Sequence, residues 1–168
     1  VNLVTDSLPA IALGLEPGED DIMSRRPRKR DESIFSNGLL SVIIFRGMLI
    51  GLTTLGVFGV FMNLYKDITC ARTAALSALI ITQLIHVFEC KSERQTIFEI
   101  PLFNNLKLVG AVSISAAGLF MCVFNSFLQN VFCTVALTPA QIMIVLAMCM
   151  IAPVLSAALT SLFRKSDD

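Results

Sequence analysis

Residues 108–162 read LVGAVSISAAGLFMCVFNSFLQNVFCTVALTPAQIMIVLAMCMIAPVLSAALTSL, without a single Asp, Glu, Lys, Arg or His. A helix crosses the hydrocarbon core of a bilayer with about 20 predominantly apolar residues, so this stretch is long enough for two crossings. The interval Gln129–Thr138 is polar but uncharged and divides it. Thr138-Pro139-Ala140-Gln141 then reads as a helix start, with Thr as N-cap and Pro at the first helical position. Pro153 predicts a kink in the last crossing, because its missing N–H orphans a carbonyl one turn earlier.

The rest of the chain has the same character. The hydrophobic fraction is 55%, well above that of a soluble domain. The formal net charge is zero, which gives no support to nucleic acid as a partner, and the charges are segregated into connectors. Residues 38–64 are apolar except for Arg46 and would reach about 40 Å as a helix, enough to cross with tilt. A polar turn is expected at Tyr65–Ala71, a shorter span at 72–89 ending on Glu89, and further spans at 107–128 and 138–162. Residues 1–15 read as the end of a span whose start precedes the chain, and Val1 is not an initiator methionine, so a carboxy-terminal piece of something longer is expected. The expected fold is all-α, a polytopic transmembrane helix bundle of one partial helix plus four complete spans. Its segments are the helix end 1–15, a loop 16–37, the four-span bundle 38–163 and a tail 164–168.

Lys and Arg set the orientation. Arg25, Arg26, Arg28, Lys29 and Arg30 lie in the first connector, Lys91, Arg94 and Lys107 in or beside the third, and Arg164 and Lys165 in the tail. The second connector has only Lys66 and, at the helix edge, Arg72, and the fourth has none. The odd connectors and the carboxy terminus should therefore be cytoplasmic. The five cysteines, Cys70, Cys90, Cys122, Cys133 and Cys149, form no CxxC pair and have no flanking histidines. They read as small apolar residues of a bundle.

The opening VNLVTDSLPAIALG, residues 1–14, places a carboxylate and a helix breaker in an apolar segment. Asn2, Thr5 and Asp6 stand at i, i+3 and i+4, which stacks three oxygen-bearing side chains on one helical face. Oxygen ligands are what a hard cation such as Ca²⁺ requires in exchange for its water shell. An acid at mid-bilayer costs about 2.5–3.5 kcal/mol on insertion scales, a cost that a cation or a proton offsets. Pro9 lacks the N–H that would bond the Thr5 carbonyl, so the helix should loosen beside Asp6, as broken helices do where they line a cavity. The competing reading is an Asp that hydrogen-bonds a neighbouring helix and only holds the bundle together.

VNLVTDSLPAIALGLEPGEDDIM followed by RRPR resembles the sixth transmembrane helix and following cytoplasmic loop of P-type calcium pumps, the sarcoplasmic-reticulum type and its bacterial relatives. The likeness continues through SNGLLSVIIFRG, where Phe45, Arg46 and Gly47 match the start of the seventh helix, and through SERQTIF before a proline, like the loop after the eighth. Beyond Pro101 it persists mainly as hydropathy and spacing. The resemblance implies that Asn2, Thr5 and Asp6 are calcium ligands and that Leu8-Pro9-Ala10 lies by an unwound turn. It implies a transported Ca²⁺ ion, with Mg²⁺ and ATP handled only by cytoplasmic domains upstream in the same polypeptide. No DKTGT, TGE or Gly-rich phosphate loop occurs here, so the fragment alone is expected not to be catalytic.

One departure matters. Members with two calcium sites carry a glutamate in the eighth helix where this chain has Gln83, an oxygen without charge. One high-affinity site on Asn2 and Asp6 is expected, with Thr5 peripheral and Gln83 a weak candidate. The short turn at 65–71 favours a bacterial member, hence a multi-pass protein of the bacterial plasma membrane.

Other residues have plainer readings. Arg46 either snorkels or pairs with a helix carbonyl, with an ion or lipid partner as the alternative. His86 is a satisfied structural residue, with metal ligation as the alternative. Gly47 and Gly51 form a GxxxG suited to close packing in the bundle. The basic run 25–30 is a topology anchor beside anionic lipid, with docking of cytoplasmic domains as a second role. The rival functions are a Mn²⁺ or dual Ca²⁺/Mn²⁺ pump and a non-catalytic membrane scaffold or regulatory subunit.

Overall fold

The computed structural model describes residues 2–15, 39–91 and 104–164, with side chains at 7–15, 39–91 and 104–158. The expectations for the basic run 25–30, for SERQTIF and for the extreme tail fall outside these residues. Helices account for nearly all of what is described: α1 (Asn2–Leu13), α2 (Leu39–Tyr65), α3 (Ile68–Glu89), α4 (Leu106–Phe124), α5 (Ser126–Phe132), α6 (Pro139–Cys149) and α7 (Ile151–Arg164). Four stretches are long and apolar enough to cross a membrane: α2, α3, α4 and the α6–α7 run Pro139–Ala158. The chain is an all-α bundle, as its hydropathy requires.

Several boundaries differ from the sequence reading. The expected turn 65–71 shrinks to Lys66 and Asp67, and α3 starts at Ile68. Asp67 is the N-cap, its carboxylate accepting from the Thr69 N–H at 2.8 Å, so the residues after it are free to be helical. Lys66 adopts a left-handed φ of 52°, which reverses the chain within two residues. The span expected at 107–128 ends at Phe124. Asn125 caps a separate short helix by accepting from the N–H groups of Phe127 and Leu128 at 3.1 and 3.3 Å. The carbonyls freed at that break are met by side chains: Gln129 Nε2 donates to Val123 O and Thr134 Oγ1 to Cys122 O, both at 2.6 Å. In a bilayer such back-bonding is what makes an interrupted helix tolerable.

The last span behaves as its prolines dictate. Thr138 and Gln141 form a reciprocal capping box at the start of α6, with Pro139 inside the first turn. Helix α6 ends at Cys149, Met150 forms the joint, and α7 resumes at Ile151. Cys149 is the residue one turn before Pro153, the one whose carbonyl loses its intrahelical donor. By contrast, the break expected at Pro9 is not an interruption of α1, which is helical from Asn2 to Leu13 with Pro9 inside it. Pro9 is fully buried, and packing against the neighbouring helices holds the segment helical despite the missing hydrogen bond.

Helix α3 is the hub, packing against α1, α2, α4, α6 and α7. It can serve that role because the face it buries is small: Cys70, Ala71, Thr73, Ala74, Ser77 and Ala78. Small residues let helix backbones approach where lipid offers no hydrophobic drive. Val57 and Phe61 of α2 and Val145 and Cys149 of α6 fill the space against that face. The hydroxyls on it are satisfied locally or across helices. Ser77 Oγ donates to Thr73 O at 2.8 Å, and Thr73 Oγ1 accepts from the Val135 N–H at 3.1 Å. Gln141 Nε2 reaches the Cys70 sulfur at 3.4 Å. All five cysteines are free thiols, and Cys70 and Cys149 are core residues.

Candidate cation site

Helix α1 lies against α4 and α3. Of its described side chains, Pro9 and Ala12 are buried and Leu13 is half-buried, while Leu8 and Ile11 are exposed. The buried face therefore follows a 9, 12, 13 register. Counted back at 3.6 residues per turn, the same face contains positions 2, 5 and 6. Asn2, Thr5 and Asp6 thus occupy the register of α1 that continues its bundle-facing strip. Their side chains lie outside the described residues.

The C-terminal end of this helix is fixed by an apolar cluster. Ala12, Leu108 and Ala111 are its buried members, with Leu13, Val87, Phe88 and Val112 packed around them. Above the cluster, Asn105 Nδ2 donates to the Ala12 carbonyl at 3.1 Å, one of the carbonyls a helix end leaves without an intrahelical donor.

Gln83 lies one turn before Val87 on α3. Its Oε1 is buried with no hydrogen-bond partner among the described residues. An unsatisfied buried amide oxygen carries a desolvation cost of about 1–3 kcal/mol, which a donor or a cation relieves. Val87, one turn further along α3, packs beside the Ala12 cluster at the end of α1.

Arg46 and His86 fall elsewhere. The Glu89 carboxylate sits between them: Oε2 is 2.9 Å from His86 Nδ1 and 3.8 Å from Arg46 Nε. The Arg46 and Glu89 side chains are both mostly buried. Together with Thr82, Pro153 and Ser156 they line a cleft where α2, α3 and α7 meet. His86 Nε2 also contacts the Cys90 thiol at 3.6 Å. Histidine here is a partnered structural group, and among the described residues no cluster of three His, Cys, Asp or Glu side chains could hold a metal. The Arg46 partner is a carboxylate, not the lipid, ion or helix carbonyl anticipated. Sequence reasoning missed Glu89; the one available signal was an acid and a base at facing ends of consecutive antiparallel spans.

Gly47 and Gly51 do not pack within the described bundle, since a Cβ on either would meet nothing within 4 Å. Gly56 does, facing the Met148 methyl at 3.5 Å. The face of α2 carrying the GxxxG is open.

A central small-residue helix and a capped, proline-broken last span define a multi-span membrane bundle. The match to known families agrees. Residues 1–162 fit the family described as cation transporting ATPase, C-terminus, and the chain belongs to that family. It is 42% identical over 149 residues to a calcium-transporting ATPase of Bacillus subtilis, covering 88% of this chain and 17% of that protein. A calcium-transporting ATPase of Listeria monocytogenes is 39% identical over 112 residues, 67% of this chain and 12% of that protein. An endoplasmic reticulum calcium ATPase of Aspergillus fumigatus is 32% identical over 165 residues, covering 79% and 17% respectively. The chain spans about one eighth to one sixth of the length of these relatives.

Proposed function

We propose that this chain is the carboxy-terminal membrane portion of a P-type pump that couples ATP hydrolysis to Ca²⁺ transport, and that it contributes part of the intramembrane cation site. The observation that carries the reading is the register of α1: Asn2, Thr5 and Asp6 fall on the same helical face as buried Pro9 and Ala12. Asp6 supplies the charge, Asn2 a neutral oxygen, and Thr5 is peripheral. Gln83 joins weakly from α3. Along their helices Asp6 is about 9 Å of rise from Ala12 and Gln83 about 6 Å from Val87, which supports a shared site. Pro9 leaves the Thr5 carbonyl without its usual N–H donor, so that a backbone oxygen beside Asp6 is available to a cation even with the helix continuous.

The relatives named above transport calcium, which favours Ca²⁺ as the ion. ATP and Mg²⁺ would act on domains upstream in the same polypeptide. With its basic connectors inside, the carboxy terminus is cytoplasmic, and the similarity to bacterial pumps favours a bacterial plasma membrane.

The test uses the full-length pump. Calcium-dependent phosphorylation from ATP should be lost in Asp6→Asn, which removes the charge of this chain's one acidic candidate ligand while keeping size and an oxygen. Retained phosphorylation at wild-type calcium concentrations would remove Asp6 from the site. ATPase rates with Ca²⁺, Mn²⁺ or Mg²⁺ as the stimulating ion separate a calcium pump from a manganese or dual pump, and stimulation by none of them would favour a scaffold.

A further inference from the structure

Asn105 is the N-cap of α4, its Oδ1 accepting from the Leu108 N–H at 3.0 Å. The same side chain turns its Nδ2 to the Ala12 carbonyl at the end of α1, 3.1 Å away. Asn105 is only 6% exposed, and the contact lies over the buried cluster of Ala12, Leu108 and Ala111. A capping role needs only the oxygen, which Asp or Ser would supply equally well. The amide N–H₂ is what distinguishes Asn, and it reaches the other helix.

We infer that Asn105 is a positioning residue for the cation site, clamping the C-terminal end of α1 to the start of α4 so that the oxygen-bearing face two turns earlier is held in register. This rests on the reading of α1 as the cation helix. The physical reasoning is short. Pro9 lies between Ala12 and Asp6 and removes one hydrogen bond from the helix, so α1 is softer than an ordinary helix at that point. A short helix with a weakened middle keeps its geometry only if both sides are anchored, and the described anchor on the Ala12 side is this amide together with the apolar cluster. A lost clamp leaves the Ala12 carbonyl with its single local bond, from the Leu15 N–H at 3.2 Å.

The two halves of the side chain can be separated in the full-length pump. Asn105→Asp and Asn105→Ser keep the cap of α4 and lose the donor to α1, and Asn105→Ala loses both. Calcium-dependent phosphorylation and thermal unfolding are measured on each, beside the wild type and Asp6→Asn. The expected result is a fall in apparent calcium affinity of about 2- to 10-fold in all three, the equivalent of one net hydrogen bond, with the maximal phosphorylation level kept. Asn105→Ala should unfold appreciably earlier than Asn105→Ser, which keeps the cap without adding a charge. Wild-type calcium affinity in Asn105→Asp and Asn105→Ser overturns the inference, because the cap alone would then account for the residue. Failure of all three to assemble also overturns it, assigning Asn105 to the fold alone. A wild-type pump that calcium does not stimulate would instead sink the proposed function, whatever these variants do.

Discussion

At the scale of the residue, Glu89 is the side chain with most at stake outside α1. Its carboxylate is mostly buried and serves both Arg46 and His86. Removing one member of a buried ion pair leaves the other uncompensated, at a cost on the order of 3 kcal/mol. Glu89→Ala should therefore lower the thermal unfolding midpoint of the purified pump sharply. The double variant Arg46→Met with Glu89→Leu should recover much of the loss, because an apolar pair of similar volume needs no desolvation. A double variant no better than Glu89→Ala would contradict this, showing that the ion pair itself stabilises the cleft. This partnership was not legible in the sequence, where Arg46 and Glu89 are far apart and each has a plausible local explanation. Gln83 was legible only as a departure from a pattern, and its unpartnered oxygen is a fact of packing.

At the scale of the element, the termini of helices follow local chemistry closely. The capping box at Thr138 satisfies two donors at the start of α6, with Thr138 N–H donating to Gln141 Oε1 at 2.8 Å. Thr138→Ala should cost about 0.5–2 kcal/mol, read as an earlier unfolding midpoint with calcium affinity unchanged. A midpoint equal to the wild type would mean that tertiary packing alone fixes this end. Thr138, Pro139 and Pro153 were readable because each acts on backbone within one turn of itself. The end of α4 at Phe124 was not, because it depends on Asn125, Gln129 and Thr134 together, and three uncharged polar residues in an apolar window give little signal. The turn before α3 was overestimated for a related reason: Asp67 counted as polar connector when its carboxylate is the N-cap. Pro9 shows the limit from the other side, since a proline predicts a lost hydrogen bond but packing decides whether the helix stops.

At the scale of the whole molecule, three spans and a partial one surround α3, and the orientation proposed for them rests on the basic residues of the connectors. Cys90 at the end of α3 and Cys133 after α5 are both exposed. They follow opposite ends of the bundle, so a membrane-impermeant thiol reagent tests the topology. In otherwise cysteine-free pumps in intact cells, Cys133 should react from outside and Cys90 only after permeabilisation. The reverse pattern would invert the assignment. Gly47 and Gly51 of α2 are unopposed among the described residues.

The central claim is that Asp6 holds a metal ion within the bundle, and direct equilibrium binding of radioactive calcium to the full-length pump tests it without relying on turnover. The wild type should bind one ion per chain with high affinity, and Asp6→Asn should bind none at the same calcium concentration while remaining folded. Undiminished binding by a folded Asp6→Asn pump would contradict the account.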